Sequence, residues 1–327
     1  MPDGGPAVEV DGLTKRFGDV EAVRGIELTV RPGEVFGFLG PNGAGKSTTI
    51  NMLCTLLKPS GGRARVAGHD VVSERDSVRR NIGLVFQDTT LDGYLSGEQN
   101  LRFHAELYGV PRAVTGERIR QVLEMVGLWE RRRDLAQTYS GGMKRRLEIA
   151  RGLLHSPRVL FLDEPTVGLD PQTRASIWDY IRQLQAAEEI TIFMTTHYMD
   201  EAEFCDRIAI MDSGRIVALD TPEALKAGVG KDRVRIQTAD DEAAIAALKE
   251  RFDLDAVMSE GAVAFPVASG EAFVPRLFAG LGVPIRSVSV SRPSLDDVFM
   301  SFTGSTIRDA EAGSSDRLRM TMRAMRR

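Results

Sequence analysis

The chain has 327 residues, a formal net charge of −4, 43% hydrophobic residues and 27% charged ones. That length accommodates about two domains of roughly 150 residues each, and the composition is that of an ordinary globular protein. Mild acidity gives no sign of a chain built to coat nucleic acid, and two distant cysteines outside any CxxC pattern, Cys54 and Cys205, imply neither a disulfide framework nor a zinc site.

Residues 1–6 read as a short tail. The first ten residues lack a basic segment followed by an apolar one, so no secretory leader is expected. Apolar runs such as VLFL (159–162) fall far short of the roughly 20 residues that span a bilayer. Any work at a membrane is therefore expected to pass through a partner.

Residues 7 to about 38 alternate apolar and polar, as short strands do, with turns at Gly18 and at Arg31-Pro32-Gly33. VFGFLG (35–40) is a buried strand running into a glycine loop and a helix. RVAGHDV (65–71) and IGLVFQ (82–87) have the chemistry of further strands. From about 96 to 155 the apolar spacing turns helical. VLFLDEP (159–165) and TIFMTTH (191–197) are short buried strands separated by a helix, and RIAIMDSGRIVALD (207–220) is a hairpin turning at Asp212-Ser213-Gly214. Composition shifts near 227–230. Beyond it the order strand, helix, strand, strand, helix, strand is the split βαβ pattern of a small α/β domain. A last short helix, SLDDVFMSF, follows. These signals divide the chain into a tail (1–6), a first domain (7–228), a second domain (229–303) and an Arg-rich tail (304–327) expected to be disordered.

The strongest chemical signal is Gly40-Pro41-Asn42-Gly43-Ala44-Gly45-Lys46-Ser47, which fits G-x-x-x-x-G-K-[ST] and lies between a strand and a helix. Glycines let backbone N–H groups wrap phosphates, Lys46 reaches the β and γ oxygens, and the Ser47 hydroxyl suits Mg2+. VLFLDEP presents Asp163 and Glu164 at the end of a buried strand. Asp163 can hold Mg2+, and Glu164 can orient or deprotonate an attacking water. A second anion site is Ser140-Gly141-Gly142 at a helix N-terminus, where backbone N–H groups and the helix dipole favour negative charge. One chain with two phosphate cradles needs an explanation.

Residues 7–228 resemble the ATP-binding cassette of ABC transporters. GPNGAGKST, Gln87 in VFQD, YSGGM, VLFLDEP, Gly168-Leu169-Asp170 and His197 in TTH occur in that family's order. The resemblance implies an α/β P-loop NTPase fold: a RecA-like core, an antiparallel β subdomain and a helical subdomain over about 96–155, followed by the small βαββαβ-like domain. It also implies a homodimer with ATP sandwiched between copies, so that Ser140, Gly141 and Gly142 of one copy close over the γ-phosphate held by the other. On that reading the loop residues Gly40–Ser47 and the adjoining Thr48 bind ATP. Gln87 contacts Mg2+ or the water and senses a membrane partner. His197 holds the γ-phosphate, Asp170 lies at the dimer seam, and Phe17 stacks on adenine where many cassettes carry tyrosine. The signature departs from the commonest form at Met143, where a glutamine is usual, and methionine cannot donate a glutamine's hydrogen bonds.

Cys54-Thr55-Leu56-Leu57, LHSPRVLFLDEPTVGLDPQTR and RPSLDDVF resemble the daunorubicin-resistance type of exporter ATPase. This implies an ATPase at the cytoplasmic face of the cell membrane, powering efflux of an amphipathic drug through a separate permease, with no nucleic acid among its partners. Related ATPases export lipids, polysaccharides or peptides, and that alternative stays open. Soluble ABC regulators usually carry two cassettes or a long coiled-coil insertion, and this sequence has neither. A non-hydrolysing ATP sensor could lose Glu164 and His197 without cost, yet both are present. Leu295, Val298 and Phe299 fit either a shared dimer-assembly element or plain core. For the Arg-rich tail a second reading is contact with anionic lipid.

Overall fold

A computed structural model of the chain describes residues 5–188, 190–259 and 261–303. The chain divides into two compact units after Thr221. The first contains, in order, β1 (Val8–Phe17), β2 (Val20–Val30), β3 (Val35–Leu39), α1 (Lys46–Leu53), β4 (Gly61–Val66), β5 (His69–Asp70), α2 (Arg75–Asn81) and β6 (Ile82–Val85). Then come α3 (Gly97–Leu107), α4 (Arg112–Met125), α5 (Gly141–Leu153), β7 (Val159–Asp163), α6 (Pro171–Glu188), β8 (Thr191–Thr196), α7 (Met199–Ala202), β9 (Arg207–Asp212) and β10 (Arg215–Asp220).

Period-two alternation in β1 and β2 puts Val8, Val10, Leu13, Ile26, Leu28 and Val30 on one buried face. These strands form an antiparallel sheet of order β2-β1-β4-β5. The second sheet has the order β10-β9-β3-β8-β7-β6, and only its edge pair β9 and β10 is antiparallel. Every residue of β3, β7 and β8 is buried, as expected of parallel strands covered on both faces. Phe193 packs its ring within 5.3, 5.7 and 5.4 Å of Phe36, Phe38 and Phe161, joining the three strands beneath the ends that carry the chemistry. Aromatic pairs of this kind contribute about 0.5–1.5 kcal/mol each beyond burial.

The helical segment folds as expected into α3, α4 and α5. Ser96 caps α3 by accepting from Gln99 N, and the Gln99 side chain accepts from Ser96 N at 2.8 Å, a capping box. The structure adds α2 and α7, which sequence periodicity does not signal: α2 buries only Val78, and α7 has four residues. At the hairpin turn Ser213 and Gly214 both have positive φ, 46° and 82°, the backbone of a type I′ turn.

The second unit comprises α8 (Pro222–Val229), β11 (Asp232–Thr238), α9 (Asp241–Phe252), β12 (Val257–Ser259), β13 (Ala262–Val267), α10 (Gly270–Gly280), β14 (Ile285–Ser291) and α11 (Leu295–Thr303). Its antiparallel sheet has the order β12-β13-β11-β14. Val234, Ile236, Val263, Phe265, Leu248 and Leu277 form its core. The unit begins at Pro222, ahead of the composition shift, because α8 packs against α11. Leu295, Val298 and Phe299 are buried on α11. The Arg-rich tail lies outside the described residues. Among the described residues no helix is long and apolar enough to cross a membrane.

Candidate active site

The register of the parallel sheet assembles the site. β3, β8 and β7 are neighbours, with Leu39 beside Thr196 and Asp163 beside Thr195. Their C-terminal ends therefore deliver the loop Gly40–Gly45, Asp163–Glu164 and His197 to one edge, where open α/β sheets bind ligands. The loop is closely fitted. A Cβ on Gly40 would lie 2.3 Å from Met211 O, and one on Gly45, at φ +108°, would lie 2.6 Å from Ala22 O. Only glycine fits at either position.

Lys46, at the start of α1, is 4% exposed. Its Nζ donates to Gly40 O at 2.6 Å and Pro41 O at 3.1 Å, and lies 3.4 Å from Glu164 Oε1. The loop carbonyls thus hold the ammonium against the loop and beside Glu164. Ser47 Oγ donates to Asp163 Oδ1 at 3.2 Å. A hydroxyl and a carboxylate side by side fit Mg2+, which is held by few protein ligands and keeps waters and substrate oxygens for the rest.

Thr195 organises the carboxylates. Its Oγ1 donates to Asp163 Oδ1 at 2.6 Å and accepts from Glu164 N at 3.0 Å. Glu164 follows β7 in the left-handed region, at φ +44°, an uncommon conformation for a residue with a Cβ. Its Oε2 is 3.4 Å from His197 Nδ1. Burial works against ionisation of Glu164, but the adjacent His197 and the charge of Lys46 outweigh it and hold the carboxyl below its usual pKa. The group is anionic and only 6% exposed, a suitable state for a base that must accept a proton from water.

Ser140 caps α5, its Oγ accepting from Met143 N at 3.3 Å. Ser140 and Gly141 are exposed, whereas Gly142 is buried. A Cβ on Gly142 would lie 2.3 Å from Thr173 Cγ2, so this glycine also has a packing role. Thr173 is held by Asp170, which accepts from its N at 3.0 Å and its Oγ1 at 2.6 Å. Ser140 and Gly141 do not enter the hydrogen-bonded cluster of Lys46, Ser47, Asp163, Thr195 and Glu164. Gln87, Phe17 and Asp170 are also exposed and outside it. Phe17 presents its ring at the end of β1 with Lys15 Nζ 4.9 Å from the centroid.

Three buried groups around the site escape motif reading. Thr195 is one. Glu201 of α7 is another, accepting from Thr166 Oγ1 and, at 2.6 Å, from Thr196 Oγ1, so it ties the segment after Glu164 to the one before His197. The third is Arg145 of α5, which reaches the carbonyls of Phe86, Asp163 and Pro165. A threonine repeated before the histidine (Thr195-Thr196) is the only sequence signal for any of them.

Residues 23–167 match the ABC transporter family, and residues 221–303 match the C-terminal domain of DrrA1-3-like ATP-binding proteins. The chain is 41% identical over 312 residues to the daunorubicin resistance ATP-binding protein DrrA3 of Streptomyces coeruleorubidus, covering 94% of this chain and 98% of that protein. Among solved structures, cbiO1 from Clostridium perfringens, part of the ABC transporter complex cbiONQ, superposes with a TM-score of 0.64 at 29% identity, over 76% of this chain and 96% of that one. The dimeric post-hydrolysis state of the ATP-binding cassette MJ0796, bound to ADP and Pi, does so with a TM-score of 0.58 at 28% identity, over 65% of this chain and 98% of that one.

Proposed function

The chain belongs to the ATP-binding proteins of the ABC transporter family, and from that membership we propose that it is the ATP-hydrolysing subunit of an exporter that moves an amphipathic, anthracycline-like drug through a separate permease. The observation that carries the ATPase reading is the convergence of Lys46, Ser47, Asp163 and Glu164, with His197 beside them, at the ends of three adjacent parallel strands.

ATP is the substrate. The loop N–H groups and Lys46 bind its β- and γ-phosphates, and Phe17 offers a face to the adenine. Ser47 and Asp163 would hold Mg2+, which neutralises charge on the phosphates when bound. Glu164 orients a water, whose oxygen attacks the γ-phosphorus as the bond to the ADP oxygen breaks; the water's proton passes to Glu164. Phosphate draws Lys46 away from Glu164. With less positive charge beside it, the carboxylate's pKa rises and it becomes a stronger base. His197 steadies Glu164 and the γ-phosphate.

Exposed Ser140 and Gly141 support a head-to-tail pair, in which a second copy's signature closes each phosphate site. A two-fold pair meets this requirement with one patch used twice, and it accounts for two cradles on one chain. Gln87, exposed just beyond β6, is the element offered to the permease at the membrane's cytoplasmic face. Opening and closing of the pair then biases the permease, because both sites act on one two-state element. The drug assignment is supported by the name of the Streptomyces relative and by similarity that continues through the second unit.

The test is accumulation of a fluorescent anthracycline in cells producing the permease with either the wild-type chain or Glu164→Gln. Higher accumulation with the variant supports drug efflux powered by this site. Equal accumulation moves the cargo to a lipid, polysaccharide or peptide.

A further inference from the structure

Arg145 lies one turn into α5, the helix that Ser140-Gly141-Gly142 begins, and is 6% exposed. A buried guanidinium must satisfy its donors inside the protein. Here Nε donates to Pro165 O at 2.6 Å, Nη2 to Asp163 O at 3.1 Å, and Nη1 to Phe86 O and to Glu148 Oε2, the latter at 3.3 Å. The carbonyls of Asp163 and Pro165 bracket Glu164. The planar fork thus grips the chain on both sides of a residue held at φ +44°. Backbone in that region persists only where its surroundings over-determine it. The same fork holds Phe86, the neighbour of Gln87.

Glu148 and Arg151 extend the arrangement along one face of α5. Glu148 Oε1 accepts from Thr90 N at 2.8 Å, and Arg151 donates to Thr90 O at 3.1 Å and to its Oγ1 at 2.6 Å. The loop from Phe86 to Thr90 is thereby fastened at both ends to the helix whose first turn carries the signature.

Resting on the ATPase reading above, we infer that Arg145 is a positioning residue for hydrolysis: it holds Glu164 in its turn and fixes the Gln87 loop and the signature helix to the same point. A displacement of α5 by a partner's phosphate or by the permease reaches Glu164 through this guanidinium. The role requires a planar fork, so a lysine of equal charge does not substitute.

Purified full-length chain decides the matter through ATP binding, measured with a fluorescent nucleotide, and phosphate release per active site. Arg145→Lys keeps the charge beside Glu148. The double variant Arg145→Gln/Glu148→Gln removes both charges of the pair together and leaves Arg151 its two bonds to Thr90. Both variants are expected to bind nucleotide within about threefold of wild type, while kcat per site falls about 10- to 100-fold with KM little changed, as for a misplaced catalytic group. A role in folding alone lowers the fraction of active sites and leaves kcat per site unchanged. Normal kcat per site in either variant overturns the inference, as does failure of both to fold. A wild-type chain that releases no phosphate overturns the ATPase reading itself. Inactive Glu164→Gln beside fully active Arg145→Lys overturns only the role of Arg145.

Discussion

His197 Nδ1 and Glu164 Oε2 lie 3.4 Å apart at the ends of two adjacent parallel strands, β8 and β7. The imidazole and Lys46 together hold Glu164 below its usual pKa against the opposing effect of burial. Hydrolysis needs the ionised carboxylate, so the acid limb of kcat/KM is expected below the ordinary glutamate value of about 4.3. His197→Ala removes one of the two stabilising neighbours and shifts that limb upward. A pH–rate profile of the residual activity checks this, and a limb at the wild-type position contradicts it.

The same shift makes Glu164 a contributor to stability. A depressed folded pKa adds stability above the unfolded value, and the increment is lost as pH falls through the folded value. Glu164→Gln is therefore expected to flatten the acid side of the Tm–pH curve. Above about pH 6 the curve keeps the wild-type slope, because the wild-type carboxyl is ionised there in both folded and unfolded states. Thermal melts across the pH range read this directly. An unchanged acid slope rejects it.

Two loop carbonyls hold Lys46 Nζ at 2.6 and 3.1 Å, and on the proposed reading that ammonium binds the phosphates of ATP. Charge-assisted hydrogen bonds contribute roughly 1.5–3 kcal/mol, so Lys46→Ala should weaken ATP binding about 10- to 100-fold. Nucleotide titration with purified protein measures this. Affinity within about twofold of wild type would place phosphate recognition elsewhere.

Glu164→Gln keeps the shape of the site but removes its base, and a fall in hydrolysis of about 10²- to 10⁴-fold is expected. With hydrolysis blocked, the ATP-loaded chain should collect as a dimer. Light scattering with and without ATP distinguishes this from a chain that stays monomeric, which would contradict closure of the site by a second copy.

The phosphate loop, Asp163 and Glu164 are legible because each is a residue type at a fixed place in a strand–loop pattern, whereas His197 is picked out only through the resemblance to the family. Strands buried on both faces announce themselves as apolar runs, and chemistry follows at their ends. Arg145 is not legible. Its partners are main-chain carbonyls at Phe86, Asp163 and Pro165, brought together only by the sheet order, and a carbonyl carries no residue signature. Glu201 is hidden in the same way: acidic residues surround it in MDEAE, and nothing local distinguishes the one that turns inward to Thr166 and Thr196. The second unit shows the same limit at its boundary. α8 buries Pro222 and Leu225, too few apolar positions to separate it from the preceding strand before its packing partner α11 is known.

Gly142 has two possible reasons to be glycine, and they can be separated. A methyl at this position would lie 2.3 Å from Thr173 Cγ2. Thr173 cannot swing aside freely, because its N and Oγ1 are both tied to Asp170. Overpacking of this kind costs about 1–3 kcal/mol, so Gly142→Ala should lower the Tm of the first unit by several degrees, at roughly 2–4 °C per kcal/mol for a unit of that size. Thr173→Ser removes the offending methyl and retains the hydroxyl that Asp170 binds. The next nearest atoms to the added Cβ are then at 3.6 and 3.7 Å, ordinary contact. The double variant is expected to recover most of the lost Tm. If Gly142 also lets the backbone approach a γ-phosphate across the dimer, hydrolysis in the double variant stays below that of Thr173→Ser alone. Recovery of both Tm and hydrolysis would reduce Gly142 to a packing residue, leaving Ser140 and Gly141 to close the partner's site.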